Sequence, residues 1–206
     1  MSSTSDTEHE TVQPPRRTQE QRRNATKARL VQACVESLCE LGYQRSTISE
    51  ICTRSGVSQG GLFRHFPTRL DLVIAAADDV RHKQFEAFSQ SLGLLGTGTL
   101  EDCLLLVRAA CRAPMNGAWY ELLVAARTDP ALREQLAPLL SEYHDQIAAF
   151  ARTLPAVQYL PEGQIELVAL TVVHLFDGES VAAAVNPQPA RDDARLELML
   201  RWLSGE

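Results

Sequence analysis

The chain has 206 residues, 45% of them hydrophobic and 22% charged, with a net charge of −6, a balance that permits one or two globular domains with a sizeable core. Five cysteines without a CxxC pair and five histidines without an HxxxH pair exclude the common metal-ligand spacings, and no GxxxxGK[ST] or HExxH run is present to carry phosphate-loop or zinc-peptidase chemistry. Net acidity hides an uneven distribution: residues 14–69 hold ten basic and four acidic side chains, the remainder ten basic and 22 acidic, so positive charge is gathered on one segment, as contact with nucleic acid requires.

Residues 1–17, rich in Ser, Thr, acids and a Pro-Pro pair, cannot bury enough apolar surface to order themselves and predict a disordered tail. They lack the basic start and apolar run of a signal peptide, and the expectation is a cytoplasmic protein. Thr18 with Gln21 forms a capping box that opens a helix to about Leu41, with Leu30, Val31, Cys34, Val35, Leu38 and Leu41 as its inward stripe. Arg22, Arg23 and Lys27 in its first turns oppose the helix macrodipole, so contact with phosphates gives them a purpose that helix stability does not. Arg16 and Arg17 just upstream are positioned to reach a minor groove.

The stretch from Thr47 to Phe66, TISEICTRSGVSQGGLFRHF, reads as two short helices joined by a glycine turn. Thr47 caps the first, with Glu50 completing a capping box, Gly56 and Val57 stop it, and Ser58 starts the second. Ile51, Cys52, Val57 and Leu62 are apolar or small where the two helices touch, leaving Gln59, Arg64 and His65 outside. This is a helix-turn-helix, whose second helix is able to enter a major groove.

Beyond Pro67, Thr68 and Asp71 form a third capping box that opens a long helix to about Ser91, and Gly93, Gly96 and Gly98 mark a loop. Helical spacing returns over Leu100–Arg112 and Ala118–Thr128. Asp129 and Pro130 restart a helix that runs toward Leu140 and on to Thr153. After LPAVQYLPEG come helices over Gln164–Val185 and Arg191–Leu203. No alternating strand pattern of useful length occurs, so the chain is expected to be all-α. The apolar run Ile165–Phe176, broken by Glu166 and His174, is too short to span a bilayer. The cysteines are expected to be reduced, either as buried filler or, less simply, as a redox sensor.

Residues Thr18–Leu72 resemble the DNA-binding domain of the TetR family of transcriptional regulators. The likeness is carried by ELGY at Glu40–Tyr43, by Thr47, Ile51, Gly56, Val57 and Ser58, and by Gly60, Leu62, Phe63, His65, Phe66 and Arg69. A weaker likeness covers ELLVAARTDPALREQLAPLL, Glu121–Leu140. The resemblance implies a DNA-binding domain at 18–72, with the helix-turn-helix at 47–66, joined by a connecting helix to an effector-binding and dimerisation domain at 73–206.

It also implies a palindromic double-stranded operator and a small-molecule effector, with repression relieved by that effector, and no cofactor, metal or catalysis. Thr47, Ser58, His65 and Arg69 are the expected phosphate anchors and Gln59 and Arg64 the base readers, glutamine pairing with adenine and arginine with guanine. Gly60 lets the backbone approach DNA. Phe63 and Gly61 depart from the residues common at those places. A helical protein-interaction module without specific DNA binding is the alternative.

For an effector pocket, large side chains on neighbouring amphipathic helices nominate Phe85, Phe88, Leu106, Trp119, Tyr120, Leu123, Tyr143 and Ile147, which ordinary core packing explains as well. His174 and Asp177, sharing a helix face and followed by Glu179, suit an interface cluster, a pocket contact or a solvent-facing stripe. For a homodimer seam, Val168, Val172, Leu175 and Phe176 with Leu196, Leu198, Leu200 and Trp202 offer more apolar surface than one chain's end readily hides, the alternative being that they close its own core.

Overall fold

The computed structural model describes residues 18–95 and 98–204. The expected tail at 1–17, with Arg16 and Arg17, lies outside the described residues, as does Gly96. Helices α1 (Gln19–Leu41), α2 (Ile48–Ser55), α3 (Gln59–Phe63), α4 (Arg69–Leu95), α5 (Leu100–Cys111), α6 (Asn116–Ala125), α7 (Pro130–Ala151), α8 (Glu162–Ala183) and α9 (Pro189–Ser204), with a 3-10 turn at Pro155–Val157, account for the fold, and no strand occurs among the described residues. No helix among them is long and apolar enough to cross a membrane.

The local signals act where the sequence places them. Thr18 and Gln21 cap α1 reciprocally, Thr68 and Asp71 do the same ahead of α4, and the Asp129 carboxylate accepts from the Leu132 N–H at 3.0 Å with Pro130 behind it. At α2 only half of the expected box forms. Thr47 accepts from the Glu50 N–H at 3.3 Å, but the Glu50 carboxylate turns to Arg54 at 2.7 Å, a charged partner one helical turn on, and the Thr47 N–H donates to the Arg45 carbonyl. Helix α4 runs past the expected end at Ser91 and takes in Gly93. Pro138 lies inside α7 on its exposed side and deprives the Glu134 carbonyl of its helical donor.

Two cores hold these helices. The larger joins Leu30, Cys34 and Leu38 of α1 to Ile51, Leu62, Leu72, Val73 and Val80, and continues into Trp119 and Leu122 of α6 and Leu132, Leu136 and Tyr143 of α7. Each fully buried leucine contributes about 1.5–3 kcal/mol, and the packing carries on without an apolar gap through the middle of α4. The smaller core gathers Leu104 and Cys111 of α5, Val172 and Phe176 of α8, and Leu196 and Met199 of α9.

That second core corrects the choice of seam residues. Phe176 is wholly buried, Val172 and Leu196 are buried, and Val168, Leu175 and Leu200 pack against the same cluster. The chain's own α5 covers the face expected to meet a second copy. Of that set Trp202 remains open, at 69% exposure. Glu179, grouped in the sequence with His174 and Asp177, belongs to a different face: its carboxylate takes Arg108 at 2.8 Å, Arg112 at 2.7 Å and Arg195 at 2.5 Å, while Arg112 also meets Asp192 and Arg108 meets Asp193. This cluster ties α5, α8 and α9 together, and every buried charge in it has a partner.

Candidate nucleic-acid interface and cavity

Gly56 closes α2 in the left-handed region at φ 64°, a backbone state that side chains other than glycine rarely adopt. Val57 is buried in the turn, and Ser58 accepts from the Gly61 N–H at 3.2 Å to start α3. Leu62, wholly buried, and Phe66 anchor the segment inward. Gln59, Gly60, Phe63 and Arg64 are exposed, as are Thr47 and Ser58, and His65 is half-buried. The Lys27 ammonium sits 5.8 Å from the centre of the Phe66 ring, so the start of α1, with exposed Arg22 and Arg23, borders the reading segment. Arg54 is held between Glu40 and Glu50 at 2.7 Å each, which removes it from the free positive charge.

The two glycines of α3 differ. A Cβ on Gly60 would meet nothing, whereas one on Gly61 would stand 2.9 Å from Val57 Cγ1. Gly61 is thus matched to its own turn, a reason for glycine that the sequence reading missed. Residues 56–60, GVSQG, also spell the GxSxG spacing of a hydrolase nucleophile elbow. Here α2 rather than a strand precedes it, and Ser58 spends its hydroxyl on capping.

Arg69, expected on a phosphate, is turned inward. Its Nε donates to the Ser46 carbonyl at 2.8 Å, a second nitrogen donates to the Tyr43 carbonyl, and the guanidinium lies 4.3 Å from the centre of the Tyr43 ring. It therefore clamps the α1–α2 connection to the start of α4. The buried Tyr43 in turn donates to Asp129 at 2.9 Å, and the Asp129 carboxyl is held below its usual range by the Leu132 N–H and then by Tyr43. Further along, buried Arg81 of α4 meets Asp78 at 2.9 Å, Glu142 at 3.4 Å and Gln146 at 3.1 Å, which latches α4 to α7.

A cavity of about 110 Å3 lies among α4, α5, α7 and α8. Of the nominated pocket residues it takes Phe85, Phe88, Tyr143 and Ile147. Trp119 and Leu123 belong instead to the larger core, Leu106 stands off the lining, and Tyr120 is engaged elsewhere. The wall is completed by residues the sequence did not single out, chiefly Cys103, Leu104, Val107 and Phe150, and by Val168 and Val172. Apolar spacing on α5 was the available signal, but only the packed fold tells which face looks inward.

Behind that wall, the Tyr120 hydroxyl lies 2.7 Å from the Cys111 carbonyl and 2.8 Å from Asp177. Its single proton is shared between two acceptors, the Cys111 carbonyl and the Asp177 carboxylate. Burial raises the Asp177 pKa and also that of Tyr120. His174 is exposed and packs edge-on against His144 at 5.3 Å, and burial, then His174, lowers the His144 pKa. No group of three potential metal ligands occurs among the described residues.

A family model described as bacterial regulatory proteins, tetR family, matches residues 30–76. The chain is 36% identical over 190 residues to the uncharacterized HTH-type transcriptional regulator Rv2912c of Mycobacterium tuberculosis (strain ATCC 25618 / H37Rv), covering 91% of this chain and 97% of that protein. In fold it is similar to a transcriptional regulator from Pseudomonas aeruginosa PAO1, with a TM-score of 0.68 at 22% identity and 92% of each chain covered. It is also similar to the regulator FadR from Bacillus subtilis in complex with stearoyl-CoA, with a TM-score of 0.63 at 20% identity, covering 84% of this chain and 96% of that one.

Proposed function

The chain belongs to the tetR family of bacterial regulatory proteins and is a helix-turn-helix transcriptional regulator, not an enzyme; from that premise we propose that it is a homodimeric repressor, released from a palindromic operator when a small molecule fills the cavity among α4, α5, α7 and α8. The observation that carries the DNA-binding half is the exposed edge of α3. Gln59 and Arg64 stand free on it as base readers, while Thr47, Ser58 and His65, with Arg22, Arg23 and Lys27 of α1, serve the phosphates. A recognition helix of five residues spans few base pairs, so specificity calls for two heads related by a two-fold axis.

The second copy is met through the outer face of α8. Leu167, Thr171, His174, Gly178 and Val181 recur at helical spacing and are all exposed, with exposed Val185 in the turn just beyond the helix and Trp202 of α9 near the chain's end. This face replaces the seam first expected from the sequence. Effector release runs along α4 and α7, both of which line the cavity. At its far end α7 holds Tyr43 through Asp129, and Arg69 passes that contact to the residues just before α2. A neighbour of the same fold carries stearoyl-CoA, which supports a binding role for this half of the chain without naming the ligand here.

Titrating a selected palindromic duplex and a scrambled one at several salt concentrations tests the reading. Tight binding confined to the palindrome, falling steeply with salt as condensed counterions are released, is expected. Gln59→Ala and Arg64→Ala should each cost about 1–3 kcal/mol on the palindrome and blur its sequence preference. Equal affinity for both duplexes would favour the interaction-module alternative.

A further inference from the structure

The four tyrosines of the chain divide three to one. Tyr43 donates to Asp129, Tyr120 bonds at the Cys111 carbonyl, and Tyr159 donates to the Leu203 carbonyl at 2.6 Å. Tyr143, only 7% exposed, has no partner for its hydroxyl among the described residues. A tyrosine hydroxyl on an otherwise apolar wall is a donor and acceptor that a ligand atom can engage. The Tyr143 ring is fixed edge-on against Trp119 at 5.9 Å and forms part of the cavity wall.

The rest of that wall restricts what can bind. Among the described residues no acidic, basic or histidine side chain lines it, and the other polar side chains on it are Gln84 and the thiols of Cys103 and Cys111. Burial raises both thiol pKa values, so neither is a thiolate able to face a cation. A charged ligand would shed its hydration shell there and gain no counter-charge in return. At about 110 Å3, the space is near the scale on which an engineered apolar cavity of about 150 Å3 accepts benzene.

We infer that the effector is a compact, uncharged, hydrocarbon-rich molecule of single-ring size bearing one oxygen that hydrogen-bonds to the Tyr143 hydroxyl, with monocyclic ketones as the type. This rests on the reading of the cavity as the effector site. An apolar ring replaces the empty space around Phe85, Phe88 and Val107, and a carbonyl oxygen gives the one unpaired hydroxyl on the wall its acceptor.

Four probes of similar size separate the possibilities: acetophenone, ethylbenzene, benzoate and benzylammonium, titrated by calorimetry into the full chain without DNA. Acetophenone should bind about three- to tenfold more tightly than ethylbenzene, the ratio one net hydrogen bond supplies, and both ions should bind at least about 100-fold more weakly, as a charge buried without a counter-charge demands. In Tyr143→Phe the ketone and the hydrocarbon should become equal within about twofold while the hydrocarbon still binds. Val107→Phe, or Ile165→Phe if the first fails to fold, should bind none of them.

Benzoate or benzylammonium binding as well as the ketone would overturn the inference. So would a ketone preference that survives in Tyr143→Phe, or wild-type protein that binds no aromatic probe. Operator binding by the ligand-free chain is measured separately, so failure here leaves the DNA-binding reading standing, and failure there leaves this outcome readable.

Discussion

Tyr43, at the end of the first helical segment, donates its hydroxyl to Asp129 across 86 residues of chain, and the same carboxylate caps the helix that lines the cavity. One oxygen of Asp129 holds α7 and the other holds Tyr43, so the start of α7 cannot shift without pulling on the reading head. Tyr43→Phe should cost about 0.5–1.5 kcal/mol of stability and leave operator affinity of the ligand-free protein close to wild type. The affinity change caused by a cavity ligand should shrink. Fluorescence anisotropy on labelled operator, with and without ligand, checks this, and an undiminished response would remove Tyr43 from the route.

Arg69→Ala should act on folding before it acts on DNA. The substitution removes a guanidinium that bonds two carbonyls and stacks on Tyr43, and a loss of about 2 kcal/mol or more is expected. Thermal unfolding should show a lower midpoint in the absence of DNA. A protein of wild-type stability that binds every duplex more weakly would restore Arg69 to the phosphates.

Gly60→Ala isolates the requirement for close approach. Nothing stands where its Cβ would be, and alanine favours a helix by up to about 1 kcal/mol over glycine. The free protein should therefore be as stable as wild type or slightly more so, while operator binding falls. Unchanged affinity would mean that the backbone at residue 60 does not come near DNA.

Asp177 gives a pH signature. Its folded pKa lies above the usual aspartate value of 3.8 because burial penalises the carboxylate, so its contribution to stability is complete below that value and is lost as pH rises through the folded pKa. Asp177→Asn has no such loss. The melting temperature of the variant relative to wild type should move in the variant's favour from about pH 4 to pH 7, and a constant difference across that range would refute a raised pKa.

Leu167→Glu and Val181→Glu place charges on the exposed face of α8 without touching the chain's own core. Sedimentation should find the wild type dimeric at micromolar concentration and the variants monomeric, with monomer unfolding little changed. Dimers that persist in both variants would move the seam elsewhere.

The helix-turn-helix was legible because its determinants are local: Thr47 and Ser58 cap within three residues, Gly56 needs its own left-handed backbone, and Ile51 and Leu62 follow from spacing. Arg69, Val168 and Phe176 were hard to place from the sequence for one shared reason. Their residue types suit a surface role or a buried one equally, and the choice depends on α1–α2 connection atoms and on α5, which lie far away in sequence. The nominated residues that do line the pocket, Phe85, Phe88, Tyr143 and Ile147, came from bulky residues on the right helices. The rest of the wall needed the rotation of α5 and α8 about their axes, which no local pattern encodes.

Pro138 stands between Asp129, which holds the head, and Tyr143, which faces the cavity, and leaves one rung of α7 unbonded. A rod missing a rung yields at that level first, so α7 is better regarded as two stiff segments and a joint than as one lever. The distance a ligand displaces Tyr143 and the distance Asp129 travels are then separate quantities, and the bending stiffness at residue 138 sets how much of a small change among apolar side chains reaches the operator.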